Sequence, residues 1–223
     1  MYLYETHLHT APVSACASNT PQEMVRAYQA LGYTGFIVTD HFFNGNTGCP
    51  PKRAWAEKVD FFLSGYRAAK KEGDALDFDV FLGWEYAIRG SEFLTYGLDE
   101  AFLYNHPNLD RLAIEDYSTL IRKNGGYLAQ AHPYREAPWV RNPRPVAPHL
   151  IDGIEVHNAS QSHEPNKKAA QFARLHNLPA QAGTDAHSTY IPHPSGIKLS
   201  ARAPSIQHLI AAIKNHETIL QKR

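Results

Sequence analysis

The 223-residue sequence predicts a parallel α/β fold closed into a barrel, with a single domain over 1–223. Two observations carry this expectation. Short apolar, β-branched runs alternate with amphipathic helical stretches along the whole length, the pattern of parallel strands joined by crossover helices. About seven such runs are present, close to the number that closes a sheet on itself. With hydrophobic residues at 43% and aromatic residues at 11%, a chain of this size buries a substantial core, which excludes general disorder.

The elements follow in order. A first strand at the N-terminus runs into His7 and His9. Thr20, Pro21 and Glu23 then form a capping box with proline in the first helical turn. Met24, Val25, Tyr28 and Leu31 recur at helical spacing, so a helix is expected over 21–31, stopped by Gly32. Residues 35–39 are a buried strand. Trp55, Val59, Phe62, Leu63, Tyr66 and Ala69 mark a second helix, and 78–82 the next strand. A helix over 112–123 closes at Gly125 and Gly126 before a strand at 127–131. A strand at 151–156, a helix at 165–177, a strand at 179–183, a helix at 205–215 and an extended run at 218–220 complete the series. Two segments break the rhythm: 42–53, rich in glycine and proline, and 133–148, a proline-rich stretch carrying Arg135, Arg141 and Arg144. Long loops of this kind in compact domains are commonly functional.

Composition narrows the partners. Lys and Arg total 22 and Asp and Glu total 22, so the chain lacks the basic footprint of a non-specific nucleic-acid binder, and nucleic acid is not favoured. Cys16 and Cys49 are the two cysteines, too few for a disulfide framework. The opening MYLYETHLHT lacks a signal-peptide pattern, and no apolar run reaches about 18 residues. A cytoplasmic protein without a membrane partner is expected; oligomeric state is left open.

The informative residues stand where strands end. In parallel barrels the site is assembled from those positions, and here they are His7 and His9, Asp40 and His41, Glu85, His132, His157, then Asp185 and His187. Such a mixture of imidazole and carboxylate suits first-row divalent metals. In His7-Leu8-His9 both imidazoles project to one side of an extended backbone while Leu8 turns into the wall, and Asp185-Ala186-His187 repeats the spacing. Glu85 has two oxygens and can bridge neighbouring ions. Asp40, next to His41, is expected to orient an imidazole or a water. Of the 13 histidines, His106, His149, His163, His176, His208 and His216 have no partner pattern, and His193 lies in a proline-rich loop able to cover the site.

His7-Leu-His9-Thr10, Thr39-Asp40-His41, Gly83-Trp-Glu85, Ala131-His132-Pro133 and Gly183-Thr-Asp185-Ala-His187, in that order over residues 2–200, resemble the motifs of the PHP (polymerase and histidinol phosphatase) family. The resemblance implies a distorted (β/α)7 barrel of PHP type, with a helix and strand over 205–220 after the motifs. It implies a trinuclear metal centre of phosphoesterase type, with His7, His9, Glu85 and Asp185 on one ion, Glu85 and His132 on a second, and His41 and His187 on a third. Two positions depart from the family pattern. Cys16 stands where a further acidic or histidine ligand is common, and as a ligand it would favour Zn or Fe. Glu92 stands where relatives place a histidine on the second ion; it is either that ligand or a solvated loop acid.

The function implied is hydrolysis of a small phosphomonoester, histidinol phosphate-like or nucleotide-like, by a metal-bridging hydroxide, with two to three divalent ions (Zn, Fe or Mn) as cofactors. Asp185, His187 and His157 are the candidate catalytic groups, His157 as a substrate contact or proton donor. Arg135, with Arg89 as a weaker version, is the candidate phosphate contact, because a guanidinium matches phosphate bidentately. The alternatives are a 3′–5′ exonuclease or phosphodiesterase, a non-catalytic metal-binding regulatory module, and an amidohydrolase barrel, which shares the opening HxH and the late Asp.

Overall fold

The computed structural model describes residues 1–138, 140 and 142–222; Arg141 therefore lies outside the described residues. Among these, the strands β1 (Tyr2–Leu8), β2 (Gly35–Val38), β3 (Asp79–Ile88), β4 (Ser91–Tyr96), β5 (Tyr127–Ala131), β6 (Gly153–Asn158), β7 (Ala180–Gly183), β8 (Gly196–Leu199) and β9 (Ile219–Gln221) form one nine-stranded sheet. Its order is β7-β6-β5-β4-β3-β2-β1-β8-β9. The sheet curls until β7 meets the far half of β1. There the Asp185 N–H donates to the His7 carbonyl and the His9 N–H to the Ala186 carbonyl, both at 2.8 Å. β1 to β7 thus make a nearly closed barrel, while β8 runs antiparallel beside the first half of β1 and β9 antiparallel to β8.

Helices α1 (Pro21–Ala30), α2 (Trp55–Ala75), α3 (Glu100–Asn105), α4 (Ile114–Lys123), α5 (His163–Leu175) and α6 (Ile206–Lys214) accompany the sheet. α1 starts at the expected box: the Thr20 hydroxyl accepts from the Glu23 N–H, and the Glu23 carboxylate accepts from the Thr20 N–H. Its buried Met24, Val25 and Tyr28 pack with Phe36 of β2 and with Phe78. No helix among the described residues is long and apolar enough to cross a membrane.

The barrel departs from a uniform seven-fold repeat in two places. β4 was not expected, and it runs antiparallel to both β3 and β5. The cause is the turn between β3 and β4, where Arg89 (φ 50°) and Gly90 (φ 85°) both take left-handed backbone, the two-residue geometry that folds a strand directly back on itself. β8 is the other unexpected strand. In addition, β3 continues past Glu85 to Ile88, so Glu85 sits inside a strand and not at its end.

Alternation along β3 sets which residues face the barrel interior. Trp84 and Tyr86 are fully buried among Phe42, Phe62, Phe93 and Tyr117, with Tyr86 stacked on Tyr117 at 3.7 Å and the Trp84 Nε1–H donating to the Tyr117 hydroxyl at 2.6 Å. This aromatic layer holds the hairpin from one side and leaves Glu85 on the other. Deeper in the barrel the polar side chains are paired. Gln181 donates to the Tyr96 hydroxyl at 2.8 Å, and that hydroxyl donates to the Thr6 carbonyl at 2.7 Å.

Candidate metal centre

Residues distant in sequence converge at the ends of β1, β2, β5 and β7 and on the inner face of β3. His7 and His9 are fully buried, and their Nε2 atoms lie 3.3 Å apart. Glu85 reaches between the imidazoles. Its Oε1 is 3.2 Å from both His7 Nε2 and His132 Nε2, and its Oε2 is 2.8 Å from His41 Nδ1 and 3.6 Å from His9 Nε2. Asp185 Oδ1 lies 3.2 Å from His9 Nε2 and 3.5 Å from His7 Nε2.

Backbone geometry aims two of these groups. Asp185 (φ 56°) and His132 (φ 23°) are left-handed non-glycine residues, a conformation that costs on the order of 1–3 kcal/mol and concentrates at functional sites. Gly183 clears the space beside them: a Cβ there would stand 2.6 Å from the His7 Cβ and 2.8 Å from Glu155 Oε1.

The protons on the imidazoles follow from what their other nitrogens touch. His7 Nδ1 is 3.0 Å from Glu155 Oε1, and an ionised carboxylate only accepts, so Nδ1 carries the proton. The Ser14 hydroxyl donates to Asp40 Oδ1 at 2.7 Å, which commits its proton; His9 Nδ1, 3.2 Å away, is therefore the donor to Ser14. His187 Nδ1 faces the Asp185 carbonyl at 2.9 Å and donates to it. As a neutral tautomer each of these three rings presents its Nε2 lone pair. For His7 burial opposes protonation, but Asp185, Glu155 and Glu85 outweigh it and raise its pKa well above the usual value, so a bound ion would take the place of that proton. Asp40 thus orients an imidazole through Ser14, whose hydroxyl also accepts from the His41 N–H at 3.0 Å.

Charge in the cluster is consistent with a cation site. Burial pushes Glu85 up, but His7 and His41 outweigh it and hold the carboxyl well below the usual range. Asp185 is likewise held well below it, burial being overcome by His7, His9 and His132. His9 is driven well below its ordinary value by burial and by the neighbouring His41. Ionised carboxylates beside a neutral, lone-pair-bearing imidazole are the donor set that divalent ions use.

The spacing gives a further test of fit. Donors bound to one tetrahedral ion at about 2.1 Å stand roughly 3.4 Å apart, and the nitrogen–oxygen separations around Glu85 and Asp185 are mostly 3.2–3.6 Å. His41 Nδ1 and Glu85 Oε2, both buried, come within 2.8 Å yet have no hydrogen-bond partner. Burial opposes protonation of His41, but Glu85 outweighs it and raises its pKa to about 11, so a cation shared by these two atoms would take the place of a proton. The donor atoms fall into overlapping groups: His7, Glu85 and His132; His7, His9 and Asp185; His9, His41 and His187; and His41, Glu85 and Glu92.

The remaining sequence candidates separate. Glu92 lies on β4, with Oε2 3.5 Å from His132 Nε2 and accepting from Arg135 Nη1 at 3.0 Å; it is a strand residue at the cluster edge, not a loop acid. Arg135 thus reaches the cluster through Glu92. Cys16 is exposed, with its thiol beside His187 and His41. Burial raises the thiol, but those two imidazoles outweigh it and bring it down to about 6.

Two expectations are corrected. Arg89 is an exposed turn residue that shares a cavity with Ile114, Glu115 and Val146 and with none of the clustered ligands, because the hairpin turn carries it past the site. His157 does not point into the mouth. A bulge between Glu155 and His157 shifts the register of β6, so Glu155 and Asn158 both face inward, while the His157 ring lies 3.5 Å from Asn166 of α5. Burial and the nearby Lys222 lower its pKa.

Three supporting residues escaped sequence reading. Glu155 holds His7 and also accepts from the His132 N–H at 2.9 Å and from Asn158 Nδ2 at 3.0 Å. Asn158 Nδ2 and Ser160 Oγ reach Asp185 Oδ2 at 3.3 and 3.1 Å. A carboxylate between Ile154 and Val156 in an apolar strand was the available signal for Glu155.

Residues 163–190, which include α5, β7, Asp185 and His187, match the model of the PHP_C family, described as PHP-associated. No curated protein matches the chain by sequence. Crystal structures share its fold. One is a two-domain protein from Bacteroides vulgatus containing a predicted PHP-like metal-dependent phosphoesterase, with a TM-score of 0.72 and 17% identity over 98% of this chain. An amidohydrolase from Chromobacterium violaceum, with bound sulfate and no metal, has a TM-score of 0.59 and 14% identity over 94% of this chain and 96% of its own. A lesion-specific endonuclease from Pyrococcus furiosus has a TM-score of 0.61 and 12% identity over 98% of this chain. The chain spans 64% of the Bacteroides protein and 57% of the endonuclease. The family model thus covers 163–190, and the crystal structures share the fold of the chain.

Proposed function

We propose that the protein is a metal-dependent hydrolase acting on a small phosphomonoester. The observation that carries the reading is the convergence of His7, His9, His41, His132, His187 and Asp185 around Glu85, with carboxylate oxygens and imidazole nitrogens facing one space. His7, His9, Glu85 and Asp185 would hold one divalent ion, Glu85 and His132 with Glu92 a second, and His41 and His187 with Cys16 a third. Zn, Fe or Mn suits this mixture of nitrogen, oxygen and sulfur. Such ions, when bound, lower the pKa of a coordinated water and neutralise charge on phosphoryl oxygens.

The chain's own groups supply positioning. Asp185 Oδ2, fixed by Asn158 and Ser160, orients the attacking water. His187 retains partial exposure at the opening, and its Nδ1–H bond to the Asp185 carbonyl would keep its Nε2 turned toward the third ion. Arg135, lining the same recess as His132 and Glu92, is placed to take a phosphoryl oxygen as its bond to Glu92 loosens. The balance of 22 basic and 22 acidic residues supports a small anion over a polymer, and a cytoplasmic setting remains part of the proposal.

The test is reconstitution with each metal, elemental analysis, and phosphate release from a panel of phosphomonoesters, with single-stranded DNA and small amides assayed in parallel. Two to three ions per chain and release from at least one monoester are expected. Turnover confined to DNA or to amides would replace this reading by the corresponding alternative, and one ion or none without turnover would indicate a binding module.

A further inference from the structure

A cavity of about 350 Å³ lies between α5, the β6–β7 pair and the end of β9, and it shares no residue with the clustered histidines and carboxylates. Val156, Ala170, Ala173, Leu178, Ala180 and Leu220 form its walls, all of them aliphatic. Its polar points are Arg174, Asn177, His216 and Lys222, and no acidic residue lines it. We propose that this cavity binds the anion of a short aliphatic carboxylic acid, its chain against the aliphatic walls and its carboxylate between Lys222, Arg174 and the ring of His157. The site is independent of the phosphomonoester reading.

His157 supplies the observation that points to a ligand. Asn166 accepts from the Asn158 N–H through Oδ1 at 2.9 Å, which turns its amide nitrogen toward His157 Nδ1 at 3.5 Å. Nδ1 therefore faces a donor, and the proton of the neutral ring sits on Nε2. That Nε2 is buried and has no hydrogen-bond partner. A buried donor without an acceptor is costly, so an acceptor from outside the chain is favoured there. The ring stands at the edge of the cavity: it follows Val156, it touches Asn166 one helical turn before Ala170, and Lys222 is near enough for its charge to oppose protonation of the ring.

Charge and shape choose the occupant. Among the described residues neither Arg174 nor Lys222 has an ion-pair partner, so the cavity offers two unpaired cations. Helices α5 and α6 both end here, and bare carbonyls at a helix end would repel an anion. Those ends are capped: the Leu178 N–H donates to the Ala173 carbonyl and the Glu217 N–H to the Ala212 carbonyl, both at 2.9 Å. Asn177 (φ 50°) and His216 (φ 58°) take the left-handed positions that such caps require. A singly charged head costs less to bring against aliphatic walls than a phosphate dianion does, which selects a carboxylate. No aromatic side chain is among the lining residues, which selects an aliphatic body. Small-molecule sites span about 300–1,000 Å³, so the body is short.

Titration of the intact chain with hexanoate, acetate, hexan-1-ol and pentylphosphonate, followed by nuclear magnetic resonance with and without a chelator, separates head from body. Hexanoate is expected to bind about tenfold more tightly than acetate, which lacks the body, or hexan-1-ol, which lacks the charge, and more tightly than pentylphosphonate. On binding, the His157 Nε2 proton should shift downfield and exchange more slowly with water. Lys222→Ala and Arg174→Ala, both at exposed positions, should each weaken hexanoate about threefold to tenfold. His157→Phe keeps a ring but removes the donor and should weaken it about threefold, while Ala170→Leu, which fills the cavity, should remove the preference for hexanoate over acetate. Hexanoate binding no better than acetate, tighter binding of pentylphosphonate, or an affinity unchanged in both Lys222→Ala and Arg174→Ala would overturn the site. An affinity lost on chelation and indifferent to Lys222→Ala would place the acid on the metal cluster and overturn it likewise.

Discussion

At the floor of the cluster His7 is fully buried and donates to a carboxylate, Glu155. At its lip His187 keeps 32% of its side-chain surface exposed and donates to a backbone carbonyl, and the neighbouring Cys16 is exposed. The two ends use the same residue types with different support. A carboxylate behind an imidazole makes it a more basic ligand than a neutral acceptor does, and burial excludes the competing water. On the proposed metal reading, the floor would retain an ion and the lip would exchange one.

Removing the group that joins the two ends should have the largest effect. Glu85 places one oxygen toward His7 and His132 and the other toward His41 and His9. Glu85→Gln keeps the volume but removes the charge and one acceptor, so both ends lose a ligand. Metal content is expected to fall to one ion per chain or less, and kcat/KM by about a thousandfold, the scale of several kcal/mol of lost charge stabilisation. Undiminished metal content in Glu85→Gln would show that floor and lip load independently.

The next effect isolates the floor. Glu155→Gln leaves His7 Nδ1 without an anionic partner and weakens the support of the His132 N–H and of Asn158. Such supporting groups carry about 10–100-fold in metal affinity or activity. Chelator competition should show that loss in the tightest-bound ion, with the weakest-bound ion little changed; a loss confined to the weakest-bound ion would invert the comparison.

How this contrast relates to the sequence is instructive. The clustered residues were legible because HxH and DxH spacing fixes two side chains on one face of an extended segment, and because strand ends in a parallel barrel share one rim. Glu155 was not legible, since it lies within an apolar strand and attention to strand ends passes over it. His157 was misdirected for a related reason: one extra residue at the β6 bulge exchanges its facing with that of Asn158, and a bulge leaves little trace in composition. The helices were readable from caps and periodicity, as at Thr20 and Glu23. β4 was not, because Glu92 and Thr95 interrupt its apolar pattern and its turn begins with arginine where asparagine or glycine is the usual signal.

A smaller effect is expected at the lip. Cys16→Ser retains a hydrogen-bonding group beside His41 and His187 but removes the soft ligand, so Zn affinity at that position should fall about tenfold. A mild chelator should then remove ions in two steps, the lip first, with the first step faster in Cys16→Ser. A single concerted release in both proteins would mean that the cluster loads as a unit.

The smallest effect tests the boundary of the site. Arg89 was a candidate phosphate contact, but its backbone occupies the first of two left-handed positions in the turn between β3 and β4. That conformation costs a β-substituted residue about 1 kcal/mol relative to glycine, and asparagine tolerates it well because its short side chain bonds locally. Arg89→Asn should accordingly raise stability by about 0.5–1 kcal/mol, or roughly 1–4 °C in Tm for a chain of this size, and leave kcat/KM within about twofold of wild type, surface changes having little reach. Because β4 carries Glu92 to His132, a firmer turn also holds that carboxylate's register at the floor. A tenfold fall in kcat/KM with unchanged Tm would mean that Arg89 does reach the substrate, and that the hairpin tip belongs to the site and not to its scaffold.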